Sequence, residues 1–396
     1  MRMPEEKSFA AKRFIMYVIG AVFNLSSAIP AYINSTFLAK FAGDKLVGII
    51  YTASSILAIA AFIEMAQAMK RWGNYRATIT LLFIEVVSLA GLATGQHILG
   101  VIASFMLNFV AIALINFALD VFLEQFSSDR RTGKIRGAFL TIENTAWLVA
   151  PLLASWILKD NLYGNIYAVS GILLFPVLLL IFFGLRDVKE PEYQHAPFWK
   201  SFAAVWADRD VKNILFVQFL LQFFYAWMII YTPIYLNQTI GFDWGTIGII
   251  FTVMLAPFVL LEAPLGRLAD SIGEKKILGA GFIIMGATTI TIAAVTDHNA
   301  VTWAIILFAT RVGAAMIEVM SDTYFFKHVD ASNNHIITFS RMTRPLAYVI
   351  SPVIATLLFT VFDIKGLFIF LGFLMFYGLR YVVTLKDTRT LPEEVR

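Results

Sequence analysis

Long apolar runs separated by short polar stretches constrain this chain more than any other feature. Twelve such runs occur in the 396 residues, and about 20 apolar residues suffice to cross a bilayer as a helix. They lie at 14–38, 47–69, 77–95, 98–124, 136–158, 164–185, 213–237, 245–268, 277–296, 301–326, 336–361 and 365–385. Only 15% of the residues are charged, against about a quarter in soluble proteins. The sequence therefore predicts an all-α membrane protein with twelve transmembrane helices.

One long hydrophilic connection, residues 186–212, divides the twelve runs into two sets of six. It is dense in charge and contains Pro191 and Pro197. We expect an N-terminal six-helix bundle at 1–185, a cytoplasmic linker at 186–212, and a C-terminal six-helix bundle with a cytoplasmic tail at 213–396. The linker contains an amphipathic stretch from Phe198 to Trp206, which predicts a surface helix.

The distribution of Lys and Arg predicts the orientation. The N-terminus, alternate loops, the linker and the C-terminal tail carry most of these residues, whereas the opposite loops carry only Lys40, Lys45, Lys159 and Lys365. By the positive-inside rule both termini are cytoplasmic in a multi-pass protein of the cell inner membrane. Because the basic residues follow membrane topology, a nucleic-acid partner is not expected. The chain has no cysteine, and its five histidines lack metal-ligand spacing, so neither a metal nor a cofactor is predicted.

The two sets of runs resemble one another at an offset of about 200 residues. GIIYT at 48–52 returns as GIIFT at 248–252, and Asp120 with Glu124 in helix 4 returns as Glu318 with Asp322 in helix 10. A third match relates 146–154 in helix 5 to 347–355 in helix 11. Parallel repeats of six helices indicate a pseudo-two-fold axis along the membrane normal and a cavity between the halves.

The stretch PLGRLADSIGEKK at 264–276 lies in the short connection between helices 8 and 9. Its residues Gly266, Asp270, Gly273 and Lys275, here called the loop signature, resemble the G-x-L-A-D-x-x-G-x-[RK] motif of the major facilitator superfamily. The first-half counterpart, AQAMKRWGNYR at 66–76, keeps the glycine but has Lys70 in place of the acid. The resemblance implies two pseudo-symmetric six-helix bundles that work by alternating access, with helices 1, 4, 7 and 10 lining the path. The Ala-Pro pattern of helix 5 resembles an antiporter motif and favours export.

Polar residues on the predicted lining helices are candidates for substrate contact. Arg311, near the middle of helix 10, offers a forked donor to a carboxylate or phosphate, although Glu318 on the same face could instead neutralise it. The other candidates share helical spacing on one face or lie on a lining helix: Asn24, Ser27, Asn34, Asn116, Gln218, Gln222 and Tyr225. Hydrogen bonds between helices are the alternative role for each of them.

Ionisable residues inside spans are costly and mark function by default. Asp120 and Glu318 recur at equivalent positions, so they are the candidate proton carriers. A cytoplasmic gate is predicted from charges at a shared depth, namely Glu124, Glu143, Asp322, Arg341 and Arg344. In that gate an acid of helix 4 or 5 pairs with an arginine of helix 11. The alternative is static pairing of Glu318 and Asp322 with the two arginines. Glu85, in helix 3, receives no role.

A secondary transporter accounts for the repeat, the charged lining helices and the loop signature together. The leading hypothesis is proton-coupled export of a small amphipathic solute, and the alternative is proton symport of a sugar or organic anion. A membrane receptor or an intramembrane enzyme is the competing class. The sequence contains no GxSxG, HExxH or Walker A pattern, so no catalytic residue is assigned and an enzyme is not expected. The predicted partners are a small-molecule substrate, protons and the lipid bilayer, and the expected state is a monomer.

Overall fold

The computed structural model describes residues 4–125, 132–158, 162–186, 188, 198–329, 336, 339–340 and 342–386. Two compact units divide the chain, Met1–His195 and Ala196–Arg396. Their boundary falls inside the segment predicted as a linker. Arg341 and the side chains of Glu124 and Asp270, three of the predicted site residues, lie outside the described part of the chain.

Helices make up both units. The N-terminal unit contains α1 (Pro4–Ala31), α2 (Asn34–Ala42), α3 (Asp44–Thr94), α4 (Ile98–Gln125), α5 (Thr132–Ile157) and α6 (Tyr163–Gly184). The C-terminal unit contains α7 (Phe198–Ala207), α8 (Arg209–Ile234), a π-helical turn (Tyr235–Thr239), α9 (Trp244–Ile272), α10 (Glu274–Ala294), α11 (Ala300–His328), α12 (Thr343–Leu358) and α13 (Ile364–Thr384). The linker helix expected near Phe198–Trp206 is thus present as α7.

The helices account for the membrane fold. Among the described residues, ten helical segments are long and apolar enough to cross a membrane. Helix α5 and the shorter apolar helix α12 occupy the fifth and eleventh predicted positions. A helix pairs its own backbone N–H and C=O groups, which lipid cannot do. The prediction of an all-α, multi-pass membrane fold is confirmed.

The first predicted helix of each half is irregular, and a proline lies at both irregularities. The run 14–38 is divided between two helices. Helix α1 ends at Ala31, directly after Pro30, and α2 begins at Asn34. In the C-terminal unit Pro233 precedes the π-helical turn. Proline lacks the N–H that a helix interior needs, and its ring crowds the preceding turn. The first predicted span is therefore present as one candidate span, Ala11–Ala42, with a break between α1 and α2 that the sequence analysis did not predict.

The connection between the second and third predicted helices is shorter than expected. Helical backbone runs through 70–76 except at Gly73, where φ is 80° and ψ is 158°. The matching residue Gly273 has φ 83° and ψ 150°. This backbone region is open almost only to glycine. The glycine of the loop signature is thus required by the turn itself, in both units.

Small residues bring helices close together inside each unit. A Cβ at Gly91 of α3 would lie 2.2 Å from Ser104 Oγ of α4. In the C-terminal unit a Cβ at Gly281 of α10 would lie 2.9 Å from the carbonyl oxygen of Gly313 of α11. Membrane helices associate through such close backbone packing because lipid gives little hydrophobic drive between them. The neighbours α3 with α4 and α10 with α11 are therefore fixed by their glycines.

Candidate functional site

Arg311 is the most unusual polar residue of the C-terminal unit. Its side chain is 1% exposed, and its Nη1 has no hydrogen-bond partner in the described structure. The guanidinium carbon lies 5.1 Å from the ring centre of Phe224 and 5.8 Å from that of Tyr225. Among the described residues, no carboxylate oxygen lies within 4.0 Å of its nitrogens. Arg311 is therefore a buried cation held by aromatic rings, with donor capacity left over.

Glu318 lies two helical turns along α11 from Arg311 and is bound to the same tyrosine. The Tyr225 hydroxyl donates to Glu318 Oε2 at 2.8 Å. Tyr225 thus contacts Arg311 with its ring and Glu318 with its hydroxyl. Since Glu318 makes no ion pair with Arg311 at that distance limit, its negative charge does not satisfy the guanidinium directly.

The remaining polar residues of α8 and α11 continue this row. Gln218 Nε2 donates to Asp322 Oδ1 at 3.0 Å, and Asp322 is exposed. Gln222 is half-buried and makes no hydrogen bond within the part of the chain that the structure describes. Two of the three predicted α8 residues are thus brought together with the two acids of α11. The arrangement is a polar row with a cation at one end and an acid at the other.

In the N-terminal unit the predicted polar residues are mostly engaged between helices. Asn24 Nδ2 of α1 donates to Glu143 Oε1 of α5 at 2.7 Å. Asn34 Oδ1 of α2 accepts from the Tyr167 hydroxyl of α6 at 2.9 Å. Ser27 donates to the backbone oxygen of Phe23. The first two bonds join α1 to α5 and α2 to α6, whereas the Ser27 bond lies within α1.

Asn116 and Asp120 follow one another on α4 and are half-buried. Asn116 Nδ2 donates to the backbone oxygen of Ile112 at 3.0 Å, within its own helix. A backbone bond of this kind leaves the amide oxygen available. The proton-carrying role of Asp120 stays a prediction.

The predicted gate is only partly within the described structure. Arg344, at the start of α12, is exposed and forms no ion pair with Glu318 or Asp322 within 4.0 Å. Glu143 binds Asn24 inside its own unit. Pairing of Glu143 with Arg344 between the units stays a prediction.

Two residues of the loop signature have clear structural roles. Gly273 provides the left-handed turn between α9 and α10. Lys275 Nζ donates to the carbonyl oxygens of Val383 and Leu385 at 2.7 and 2.8 Å, at the C-terminal end of α13. A cation there also complements the helix dipole. A Cβ at Gly266 would meet nothing within 4 Å, so that glycine has no steric requirement.

The structure adds one residue to the C-terminal site and one polar pair elsewhere. Phe224 stacks on Arg311, which the sequence did not reveal because Phe224 is one of 36 phenylalanines. Glu85 of α3 is 1% exposed and accepts at Oε1 from Asn108 Nδ2 of α4 at 2.8 Å. Glu85 lies nine residues before the end of α3 and Asn108 lies ten residues after the start of α4, so their similar distances from the α3–α4 turn were a signal present in the sequence.

The chemistry open to the C-terminal row is the binding of a charged group. A guanidinium among aromatic rings can bind an anion through charge-assisted bonds, and the same row contains the carboxyl groups of Glu318 and Asp322. Among the described residues no group of three or more His, Asp or Glu could hold a metal ion. The row thus suits recognition of a charged solute.

Comparison with known proteins places this chain in a family. The family model of the Major Facilitator Superfamily matches residues 14–247 and 214–395. The chain belongs to the Major Facilitator Superfamily. This is a family of multi-pass membrane transporters, so the expectation that the chain is not an enzyme is confirmed.

Similarity to individual curated proteins covers only a part of the chain. A protein named putative proline/betaine transporter from Staphylococcus aureus (strain COL) is 30% identical over 124 residues, which is 27% of this chain and 26% of that protein. The match thus spans about a quarter of the length of that relative.

Solved structures match over nearly the full length. An auto inhibited POT family peptide transporter superposes with a TM-score of 0.76 at 13% identity, covering 97% of this chain and 99% of the other. A bacterial homologue of the human lysosomal transporter Spinster gives 0.72 at 10% identity, covering 97% and 96%. These similarities confirm the fold.

Proposed function

We propose that this transporter moves a small solute bearing a carboxylate or phosphate group by alternating access, coupled to protons, with Arg311 as the anion-binding residue. The observation that carries the proposal is the buried guanidinium whose Nη1 lacks a partner. A charge at the centre of a membrane costs roughly 2.5 to 3.5 kcal/mol on insertion scales. Retaining an incompletely satisfied cation there is consistent with a ligand that completes it.

The aromatic rings support this reading. Cation–π contact stabilises a desolvated guanidinium by about 2 kcal/mol or more. Phe224 and Tyr225 therefore offset much of the burial cost while leaving the N–H donors for a ligand. An oxyanion is the group that matches a forked guanidinium best.

Tyr225 links the anion site to the candidate proton carrier. Its ring faces Arg311, and its hydroxyl donates to Glu318 at 2.8 Å. Protonation of Glu318 would weaken this hydrogen bond, because a carboxylate is the stronger acceptor, and would free the tyrosine to move with the arginine. We therefore assign Glu318 to proton coupling and Tyr225 to communication between the two residues.

This geometry favours the symport hypothesis over export of an amphipathic solute. A lone guanidinium selects for negative charge rather than for apolar bulk. The proline and betaine named for the Staphylococcus aureus relative are zwitterions with a carboxylate, so they fall within the proposed class. The Lys and Arg distribution supports an inner-membrane location with both termini cytoplasmic.

A ligand screen on the purified protein tests the proposal. The probes are succinate, lactate, glycerol 3-phosphate, glycine betaine, proline, glucose and ethidium, each in a thermal-unfolding assay at two pH values. A ligand at one hundred times its Kd adds about 2.7 kcal/mol of stability. We expect stabilisation by at least one carboxylate or phosphate probe, and none by it in Arg311→Ala. Stabilisation by glucose or ethidium alone would overturn the anion assignment.

Tyr225→Phe separates the ring of this residue from its hydroxyl. The ring remains beneath Arg311, so probe binding should persist. Glu318 loses one charge-assisted hydrogen bond, worth about 1.5 to 3 kcal/mol, and we expect gradient-driven uptake to fall about tenfold or more. Uptake in proteoliposomes with an imposed pH gradient measures this. Full retention of gradient-driven uptake would show that Tyr225 does not couple the two residues.

A further inference from the structure

Glu85 is a buried acid that the proposed transport site does not use. It lies on the part of α3 that follows Gly73, with 1% of its side chain exposed. Asn108 Nδ2 donates to Glu85 Oε1 at 2.8 Å, and Asn108 is itself 1% exposed. Glu85 Oε2 is buried and has no hydrogen-bond partner in the described structure. Half of the carboxyl group is thus satisfied by one neutral amide.

In the described structure, the helices packed against α3 place no cation beside this carboxyl group. The helices packed against α3 are α4, α6 and α2. Residues 98–119 of α4 and 163–184 of α6 contain no charged residue. The ionisable groups of α2, α3, α4, α6 and the α3–α4 turn are Lys40, Asp44, Lys45, Tyr51, Glu64, Lys70, Arg71, Tyr75, Arg76, His97, Asp120, Glu124, Tyr163 and Tyr167.

The nearest cation along α3 is far from Glu85. Arg76 precedes it by nine residues, which is about 13 Å along a helix. On α4, the nearest charge to Asn108 is Asp120, twelve residues away or about 18 Å, and it has the wrong sign. Within the described part of the chain Glu85 makes no ion pair. An ionised carboxylate here would be buried, half-bonded and uncompensated, which membrane proteins avoid.

We propose that Glu85 is a proton-binding site, held as a neutral carboxylic acid that pairs with Asn108 to clasp α3 and α4 together. In the pair, Asn108 N–H donates to Glu85 Oε1, and the proton on Oε2 supplies a donor for the amide oxygen of the same asparagine. An acid and an amide close such a two-bond ring only when the acid is protonated. An ionised carboxylate has four acceptor sites and no donor, so it would leave the amide oxygen facing negative charge.

This proton is static, in contrast to the one proposed for Glu318. The clasp joins two helices of the same unit that are already packed through Gly91 and Ser104. Ser88 also lies beside the Glu85 carboxyl group and donates its hydroxyl to the backbone oxygen of Glu85 at 2.8 Å, but among the described residues neither Ser88 nor Asn108 donates to a further side chain. Its role is to satisfy a buried amide and fix the α3–α4 register, so its neutral isostere should replace it without loss of transport.

Infrared difference spectroscopy of the purified full-length protein tests the protonation state. The spectrum of the wild type minus Glu85→Gln at neutral pH should contain the C=O stretching band of a carboxylic acid and no carboxylate bands. Glu274→Gln is the matched control, because Glu274 is also 1% exposed but is paired with Lys327. Its difference spectrum should contain the carboxylate bands. Carboxylate bands in the Glu85→Gln difference would overturn the proposal, whether or not a water satisfies Oε2.

Two further measurements complete the test, one on a second variant and one on transport. Asn108→Ala retains Glu85 and removes its donor, so the acid band should shift to higher frequency; an unmoved band would show that the pair does not form. Proton-driven transport by Glu85→Gln should equal that of the wild type. Loss of transport in a folded Glu85→Gln protein would overturn the static role, while the Arg311 assignment would stand or fall on its own ligand screen.

Discussion

Residues 73–75 of the N-terminal unit and 273–275 of the C-terminal unit occupy the same place in the fold and use different chemistry there. Both begin with glycine at positive φ, 80° and 83°. The residue after the glycine joins α3 to α4 in the N-terminal unit and α10 to α11 in the C-terminal unit. Asn74 Nδ2 donates to the backbone oxygen of Ala118 at 3.0 Å, whereas Glu274 forms an ion pair with Lys327.

The third residue joins α3 to the C-terminal end of α6 in the N-terminal unit, and α10 to the C-terminal end of α13 in the C-terminal unit. The Tyr75 hydroxyl donates to the backbone oxygen of Phe182 at 3.3 Å, and Lys275 Nζ donates to that of Val383 at 2.7 Å. The duplicated unit thus requires a glycine turn and two side-chain ties, while the groups that make the ties are free to differ. This explains how the N-terminal unit keeps its hairpin with Lys70 where the family signature has an acid.

Loss of the Glu274–Lys327 ion pair should lower the free energy of unfolding more than loss of the neutral hydrogen bond made by Asn74. Lys327→Met leaves Glu274 buried and unpaired, which costs about 3 kcal/mol for a buried pair. Asn74→Ala removes one neutral hydrogen bond, worth about 1 kcal/mol. Reversible unfolding in mixed micelles measures both. Equal losses of unfolding free energy would show that the Glu274–Lys327 ion pair stabilises the protein no more than the neutral hydrogen bond of Asn74 does.

The two glycines should be equally intolerant of a side chain. Gly273→Ala and Gly73→Ala each force a Cβ into a glycine-only backbone region, at a cost of about 1 to 3 kcal/mol. Gly266→Ala is the control, because a Cβ there meets nothing within 4 Å and should leave the free energy of unfolding unchanged. A large loss at Gly266, or none at Gly73, would contradict the backbone explanation of the signature.

A capping residue of the C-terminal unit should give the smallest effect. Asp243 accepts from the backbone N–H and the hydroxyl of Thr246 at 3.0 and 2.8 Å, at the start of α9. Hydrogen bonds from Thr246 lower the pKa of Asp243. Because the pKa is lower in the folded state, the stabilisation is present at neutral pH and is lost as the pH falls through that value.

Asp243→Ala should therefore lower the free energy of unfolding by about 1 kcal/mol at neutral pH, and the difference should vanish in acid. Denaturant titrations of the wild type and the variant across pH give the result. Gly43, which precedes α3 in the N-terminal unit, has no side-chain cap, so no equivalent acid-sensitive step is expected there. A difference that is independent of pH would exclude the Asp243 carboxylate as its source.

Local sequence signals predicted the helices, because helix formation depends on neighbouring residues. Apolar length fixed the spans, and Gly273 carried its own backbone requirement. Pro30 was visible in the sequence, but whether a membrane proline breaks a helix depends on what re-satisfies the freed backbone groups. The break between α1 and α2 within the first span was not predicted for that reason.

The site was predictable as a set of residues but not as contacts. Helical spacing identified Tyr225, the position near the middle of helix 10 identified Arg311, and the repeat identified Glu318. The bond between Tyr225 and Glu318 nevertheless joins residues 93 apart, and no local pattern specifies it. The contact between Glu85 and Asn108 is more predictable, since the two residues lie at nearly the same distance from the short α3–α4 turn. Antiparallel neighbours in a hairpin meet at such positions, so this contact could have been inferred from the sequence.

The central claim is that a buried guanidinium binds an anion whose movement is coupled to protons. It is tested most directly by uptake into proteoliposomes of the anionic or zwitterionic probe that stabilises the protein, with and without an imposed pH gradient, in the wild type and Arg311→Lys. Lysine keeps the charge but lacks the fork. We expect gradient-driven accumulation of the probe by the wild type and accumulation that is lower by about tenfold or more in Arg311→Lys. Equal accumulation by both proteins, or uptake that ignores the gradient, would contradict it.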